Sequence, residues 1–403
     1  MRPRGALRLL IDRNFGGFFW GKLATTTATY LHSVVAAVVA FQATHSAVAV
    51  AIVTGVQFTP QLLLAPVAGA WADRGRIARQ IIVGRLVCAA GSGSIVVCLL
   101  VADKLTGWGL IATLAAGSLV AGLGLVIGGP AMQSVTTLLV RKDELPTAIA
   151  LNTAPMTVGR VAGPALGAIL TQVAGPVQAF ALAALGHLLF AASMRMVRVP
   201  RDRVSPPGSK ESRTVAAALR HLRKDRPLMM LILVVTGLGF GSEPATTLAP
   251  VLAHELGGGT SAVGALTTSF GIGAGVGVVL SSWTARRVRH TVVVGAGLAT
   301  LAAGLVGCAA AASLVWAIPA TAAAGGGFVV ASSSASTLIQ LRAPDELRGR
   351  VMALWLMGFV GARPIASLVS GTCADLLSVR AAFLVVAGCL AVLTCVCRPR
   401  SLT

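Results

Sequence analysis

The amino-acid sequence predicts an all-α membrane protein, with twelve transmembrane helices in two pseudo-symmetric bundles of six. Three observations carry this. Hydrophobic residues fill 55% of the 403 positions and charged residues only 11%, against about 25% charged in a soluble domain. The apolar residues gather into runs of about twenty, the length a helix needs to cross the hydrocarbon core. The cations lie between those runs, and they fall almost wholly at alternate loops. In lipid an unpaired backbone N–H or C=O costs several kcal/mol, so only helices and closed barrels span. Barrel strands would show shorter, alternating segments, which are absent from the sequence.

The runs place helices near 15–41, 48–71, 79–101, 108–139, 147–172 and 177–199, then 227–253, 260–284, 291–311, 313–339, 350–373 and 379–397. Basic residues (Arg2, Arg4, Arg8, Arg13) precede the first run. That run is longer than the apolar core of a signal peptide, about 7–15 residues, so it reads as an uncleaved first helix. With the N-terminus inside, only Lys104 and Arg380 of the 33 Lys and Arg fall outside. Four lie within helices (Lys22, Arg85, Arg160, Arg363), and all the others are cytoplasmic. Cytoplasmic loops collect Lys and Arg, so both termini are expected in the cytoplasm of a bacterial inner-membrane protein. The same distribution removes nucleic acid as the reason for a net charge of +20.

A polar stretch divides the chain into an N-terminal bundle (1–199), a cytoplasmic linker (200–226) and a C-terminal bundle (227–403). The linker holds Pro206-Pro207-Gly208-Ser209 and a basic segment from Arg213 to Lys224, suited to lie on the anionic inner leaflet. The halves echo each other. Asp143-Glu144-Leu145 follows the fourth helix and Asp345-Glu346-Leu347 the tenth; Arg160 lies in the fifth helix and Arg363 in the eleventh. Parallel six-helix repeats are a transporter design.

Three segments resemble the major facilitator superfamily. Gly69-Ala70-Trp71-Ala72-Asp73-Arg74 is similar to its signature after the second helix, with Trp for Leu; Gly75-Arg76-Ile77-Ala78-Arg79 departs from the usual tail. Gly159-Arg160-Val161-Ala162-Gly163-Pro164-Ala165-Leu166-Gly167-Ala168 is similar to the antiporter signature, with Ala for its last Gly. Leu341 to Met352, and the stretch from Gly129 to Asn152, resemble the branch of enterobactin exporters and Tap-like multidrug pumps. The resemblance implies alternating access and efflux, with Gly69, Asp73, Arg74, Gly159, Gly163, Pro164 and Gly167 in conformational gating. It implies that Asp73 faces the N-terminal end of the eleventh helix, where an anion is favoured, as a cytoplasmic latch. The glycines four apart equally suit close helix packing.

Intramembrane charges are costly and usually functional. Glu243, in Gly241-Ser242-Glu243-Pro244, is the one carboxylate well inside a predicted helix. Pro244 removes a helical hydrogen bond, and a broken helix facing a cavity suits a carboxylate that takes and releases protons. Glu243 and His32, an imidazole in the first helix, are the expected proton-coupling residues. The position aligned with an acid found in related exporters is Thr29. A buried Arg needs a carboxylate, carbonyls or an anionic ligand, so Arg160 and Arg363 are candidates for a central cavity. Thr25, Thr29, Gln57 and Gln61 are candidates to line it. His187 reads as a packed side chain.

Other chemistries find no support. The run from Gly271 to Gly277 mimics a dinucleotide loop without a preceding strand. No phosphate-binding loop, metal cluster or nucleophile–base set occurs, and the seven cysteines have no Cys-x-x-Cys spacing. The expectation is a non-enzymatic, cofactor-free, monomeric secondary transporter that exports a small amphipathic, drug-like molecule by proton antiport. Its partners are the lipid bilayer, its substrate and protons. Siderophore or metabolite export, metabolite uptake and a non-transporting membrane scaffold are the alternatives.

Overall fold

The computed structural model describes residues 5–72, 76–101, 106–141, 143–199, 220, 222–284, 287–344 and 347–397. Among the described residues there are helices and no strand. The chain runs α1 (Ala6–Ile11), α2 (Phe15–Thr44), α3 (Ala47–Ala72), α4 (Ile77–Val101), α5 (Gly107–Leu139), α6 (Leu145–Val173) and α7 (Pro176–Met196). It continues with α8 (Arg226–Ser242), α9 (Pro244–Thr247), α10 (Ala249–Glu255), α11 (Thr260–Thr284), α12 (His290–Ala310), α13 (Leu314–Arg342), α14 (Arg348–Leu376) and α15 (Val379–Val396).

Eleven helices among the described residues are long and apolar enough to cross a membrane. The helix of the predicted twelve that is not among these eleven is α6. It has 29 residues, ample length at about 1.5 Å per residue, but its apolar run is interrupted by Asn152, Arg160 and Gln172. The seventh predicted span, 227–253, is not one helix. It breaks at Glu243 and at Leu248 into α8, α9 and α10, because Pro244 and Pro250 each remove a backbone donor. Proline also lies inside α5, α6, α13 and α14, where neighbouring helices and side chains can satisfy the freed groups.

The chain divides into two compact units, Met1–Thr44 with Val56–Pro206, and His45–Gly55 with Pro207–Thr403. The division departs from a single cut at the linker, because the opening of α3 groups with the second unit. Each unit pairs its helices in the same order. In the first, α4 packs on α5 and α7, and α2 on α6 and α7. In the second, α12 packs on α13 and α15, and α8 on α14. The third and fourth, third and sixth, and first and fifth spans of each unit are thus neighbours.

Small residues set the spacing. A Cβ on Gly159 would lie 2.8 Å from Thr26 Cγ2, one on Gly163 would lie 2.6 Å from Tyr30 Cβ, and one on Gly167 would lie 3.2 Å from Val35 Cγ2. The glycines of the antiporter-like segment therefore seat α6 against α2. In Asp143-Glu144-Leu145 the first two residues form the turn before α6, and the buried Glu144 accepts from the Arg141 N–H at 3.1 Å. The echo of that pair, Asp345 and Glu346, lies outside the described residues, as do Asp73, Arg74 and linker residues 200–219 and 221. Gly69 falls within α3.

Candidate functional site: a buried ion pair at a helix break

The break between α8 and α9 falls on Glu243. Its backbone carbonyl accepts from the N–H groups of Thr246 and Thr247 at 3.0 and 2.9 Å, so the chain restarts as helix directly after the break. The Glu243 side chain is 1% exposed and takes Arg363 of α14 as its partner, with Nε to Oε2 at 2.6 Å. The Arg363 side chain is 20% exposed. Thr247, one turn beyond Glu243, donates to Oε1 at 3.2 Å. Both carboxylate oxygens therefore accept a hydrogen bond, which is the condition for holding a charge in a low-dielectric interior.

The polar cluster continues away from the pair. Ser367, one turn beyond Arg363, meets Thr247 at 3.1 Å and Thr54 at 2.9 Å, and Thr54 meets Thr247 at 3.3 Å. All three hydroxyls are buried. Ser367 also donates to the Ala51 carbonyl at 3.1 Å. A Cβ on Gly371 would lie 2.6 Å from the Ala51 Cβ, so α14 approaches the opening of α3 closely. At the far end, Asp375 accepts from the Ala47 and Val48 N–H groups at 2.7 and 3.0 Å and from Ser46 Oγ at 2.6 Å. A carboxylate at a helix N-terminus satisfies orphan donors and meets the positive end of the helix dipole.

On the other side of Arg363 the same row of α14, at four-residue steps, carries Phe359 and Trp355. Their rings stack at 5.1 Å between centroids and 14° between planes. Phe359 continues onto Phe328 at 5.7 Å, and Phe328 onto Phe270 at 5.9 Å. The backbone of Phe359 lies directly against Gly239 of α8.

The first unit holds a different polar centre. Arg85, 2% exposed, donates from Nη1 to Thr25 Oγ1 and from Nη2 to the Gly124 carbonyl, each at 3.3 Å. Thr25 meets His187 Nδ1 at 2.6 Å. His32 is buried, with Nδ1 2.9 Å from Ser92 Oγ and Nε2 3.1 Å from Ser118 Oγ. Its ring also meets Phe180 edge-on at 5.2 Å. Lys22 donates to the Asn152 carbonyl at 3.0 Å and to its side-chain oxygen at 2.6 Å.

The predicted site residues are thus sorted. Glu243 and Arg363 are brought together. Arg160, the counterpart of Arg363 in sequence, has a phenol where Arg363 has a carboxylate: its Nε donates to Tyr30 OH at 3.1 Å, and its guanidinium lies 5.5 Å from the Tyr30 ring centre. Thr25 joins the Arg85 centre, while Thr29 turns its hydroxyl back to the Thr25 carbonyl at 2.8 Å. Gln57 is buried and accepts from Ser33 at 2.7 Å, and Gln61 is half-buried on α3. Sequence reasoning missed Thr247 and Ser367, although each lies one turn from a residue it singled out. Nothing in the sequence points to Thr54 or Asp375. Among the described residues no group of three or more metal-ligating side chains occurs.

A break that carries a paired carboxylate, two like-paired six-helix units and glycine-seated packing in the fifth span form a recognisable set. The family model for a transmembrane secretion effector matches residues 7–401. The chain belongs to that family of major facilitator transporters. Transmembrane secretion effectors are membrane transporters and not enzymes. Similar relatives include macrolide efflux protein A of Streptococcus pyogenes, 25% identical over 219 residues, covering 54% of this chain and 53% of that protein. Another is the enterobactin exporter EntS of Salmonella choleraesuis (strain SC-B67), 29% identical over 238 residues, covering 57% and 55%. The chain thus spans about half the length of these curated relatives. Among solved structures, a bacterial homologue of the human lysosomal transporter Spinster aligns with a TM-score of 0.73 at 14% identity, covering 98% of this chain and 97% of that one. The nucleoside transporter NupG aligns with a TM-score of 0.73 at 12% identity, covering 96% and 99%. At such identities the likeness establishes the major facilitator fold.

Proposed function

We propose that this transporter exports a small amphipathic, drug-like molecule across the bacterial inner membrane in exchange for protons, acting as a monomer with both termini in the cytoplasm. The observation that carries the reading is the buried Glu243–Arg363 pair at the break between α8 and α9. Protonating Glu243 removes its charge and weakens its hold on Arg363. The tie between α8 and α14 then has two strengths, set by one proton. An element of this kind couples a proton gradient to alternating access, because each state of the transporter favours one form of the carboxylate.

His32 is the second proposed proton-coupling residue. The two serine hydroxyls that flank it can each donate or accept, so either ring form keeps both hydrogen bonds. Arg160, Thr25, Thr29, Gln57 and Gln61 are proposed to face the substrate path in the first unit, and Gly69, Asp73 and Arg74 to form the cytoplasmic latch. Gly159, Gly163, Pro164 and Gly167 let α6 move against α2 without side chains in the way. Efflux is favoured over uptake by the antiporter-like segment and by relatives named for macrolide efflux and enterobactin export. The second of those names supports siderophore export as an alternative cargo.

The test is transport by the purified protein in liposomes under an imposed pH gradient. Substrate movement against the proton flow, abolished when the gradient is collapsed, is the expected result. Movement indifferent to the gradient would overturn proton coupling, and movement in the same direction as protons would overturn export.

A further inference from the structure

The short helix α1 precedes the first predicted span and carries apolar side chains on two opposite faces. Leu9 is buried in a core cluster with Phe15, Phe19, Leu139 and Val197. Leu7 and Ile11 are 76% and 83% exposed. On a helix these two stand about 40° apart, on the side away from Leu9. An exposed aliphatic pair at four-residue spacing suits a helix laid in a membrane surface, where its outer face enters the acyl boundary.

Contacts with α2 fix the depth of that helix. Trp20, more than half exposed on the second turn of α2, donates its indole N–H to the Leu10 carbonyl at 3.1 Å. A Cβ on Gly16 would overlap the same carbonyl. Tryptophan collects at the membrane–water interface, so the end of α1 is held at interfacial depth beside the entry of α2.

Four arginines flank this arrangement. Arg8 lies on α1 and Arg13 in the turn that follows; Arg195 lies in the last turn of α7 and Arg198 just beyond it. The end of α7 is brought against the turn after α1. The Arg198 N–H donates to Asn14 Oδ1 at 3.0 Å, and a Cβ on Gly17 would lie 3.2 Å from Val197 Cγ2. All four arginines are exposed, and among the described residues none makes an ion pair. The carboxylate of the turn, Asp12, accepts from the Asn14 and Phe15 N–H groups at 3.0 and 2.9 Å, which caps the start of α2.

We propose that α1, the turn after it and the end of α7 form a docking surface for anionic phospholipid in the leaflet next to the N-terminus. Leu7 and Ile11 enter the acyl boundary, and the arginines meet headgroup phosphates, which guanidinium groups bind well. Charge decides the occupant: a second copy of the chain would bring the same positive patch and be repelled. The proposal is independent of the cargo and of the proton step.

The test introduces Leu7→p-benzoylphenylalanine, a photo-crosslinking substitution at an exposed position, into the full-length protein. The protein is placed in liposomes of equal parts phosphatidylglycerol and phosphatidylcholine, and its adducts are read by mass spectrometry. Lipid adducts enriched in phosphatidylglycerol at least about fivefold are expected, the preference that one Arg confers near an anionic surface. Arg8→Gln with Arg198→Gln is expected to bring the two lipids close to parity. Arg287→Gln with Arg289→Gln removes two exposed cations of the second unit and is expected to leave the enrichment unchanged; an unchanged thermal midpoint verifies that each variant is folded. Adducts to a second copy of the chain, no lipid adduct, or equal adducts of the two lipids would overturn the proposal. So would enrichment that survives loss of Arg8 and Arg198, or that falls equally on loss of Arg287 and Arg289.

Discussion

Replacing Glu243 with Gln is the sharpest perturbation of the proposed coupling. The side chains are nearly isosteric, so the change removes a charge and little volume. Glu243 is 1% exposed and Arg363 20% exposed, with a 2.6 Å contact between them. Opposite charges centred about 4 Å apart attract by about 4 kcal/mol at an effective dielectric near 20. Removing one partner of a buried pair costs about 3–5 kcal/mol because the other charge is stranded. The partial exposure of Arg363, and the amide oxygen that Gln still offers it, place the expected stability loss below that range, at about 2 kcal/mol. A double-mutant cycle of Glu243→Gln, Arg363→Gln and the pair, read by denaturant unfolding in nanodiscs, measures the coupling directly. The same Glu243→Gln protein in liposomes is expected to lose the stimulation of efflux by a pH gradient while retaining downhill movement of substrate. Wild-type gradient stimulation would refute the assignment of the proton to Glu243. A coupling energy near zero would refute the ion pair as the element that proton alters.

Three further outcomes follow from named contacts. Asp375→Asn removes a charge from the N-terminus of α3 and is expected to cost about 0.3–1 kcal/mol, less at high salt, as read by unfolding at two ionic strengths. Gly163→Ala places a methyl group 2.6 Å from Tyr30 Cβ and 2.7 Å from the Thr27 carbonyl oxygen; overpacking of this kind typically costs about 1–3 kcal/mol, with export falling more than protein abundance if α6 must slide on α2. His32→Phe strands the hydroxyls of Ser92 and Ser118. It is expected to lower the thermal midpoint and reduce gradient-driven efflux; full efflux in the variant would remove His32 from proton coupling.

Much of this architecture is legible in the sequence, for physical reasons. A span must be long, apolar and helical, so its presence is written in consecutive residues. The break at Glu243 is legible too, since Pro244 cannot donate and a lone carboxylate in an apolar run demands an explanation. The partner of that carboxylate is less accessible. Arg363 stands out as a buried cation, but so does Arg160, and only the packing of α8 on α14 decides that Arg363 meets Glu243 while Arg160 meets Tyr30. The hydroxyl cluster is less legible still. Thr54, Thr247 and Ser367 are common residues in membrane helices, where a hydroxyl can bond its own helix, as Thr54 does to Val50.

The grouping of residues 45–55 with the second unit bears on how such a chain can be assembled. Two units whose helices pair in the same order suggest two self-sufficient modules that could be made as separate polypeptides. Here a cut in the linker would strand the opening of α3 on the wrong piece. The C-terminal fragment would then lack Thr54, the Ala51 carbonyl and the α3 N-terminus, leaving Ser367 and Asp375 without those partners. Neither fragment carries a complete second unit, so the C-terminal piece is expected to be degraded when expressed alone and rescued when both are made in one cell. The order of the chain and the boundaries of its compact units do not coincide.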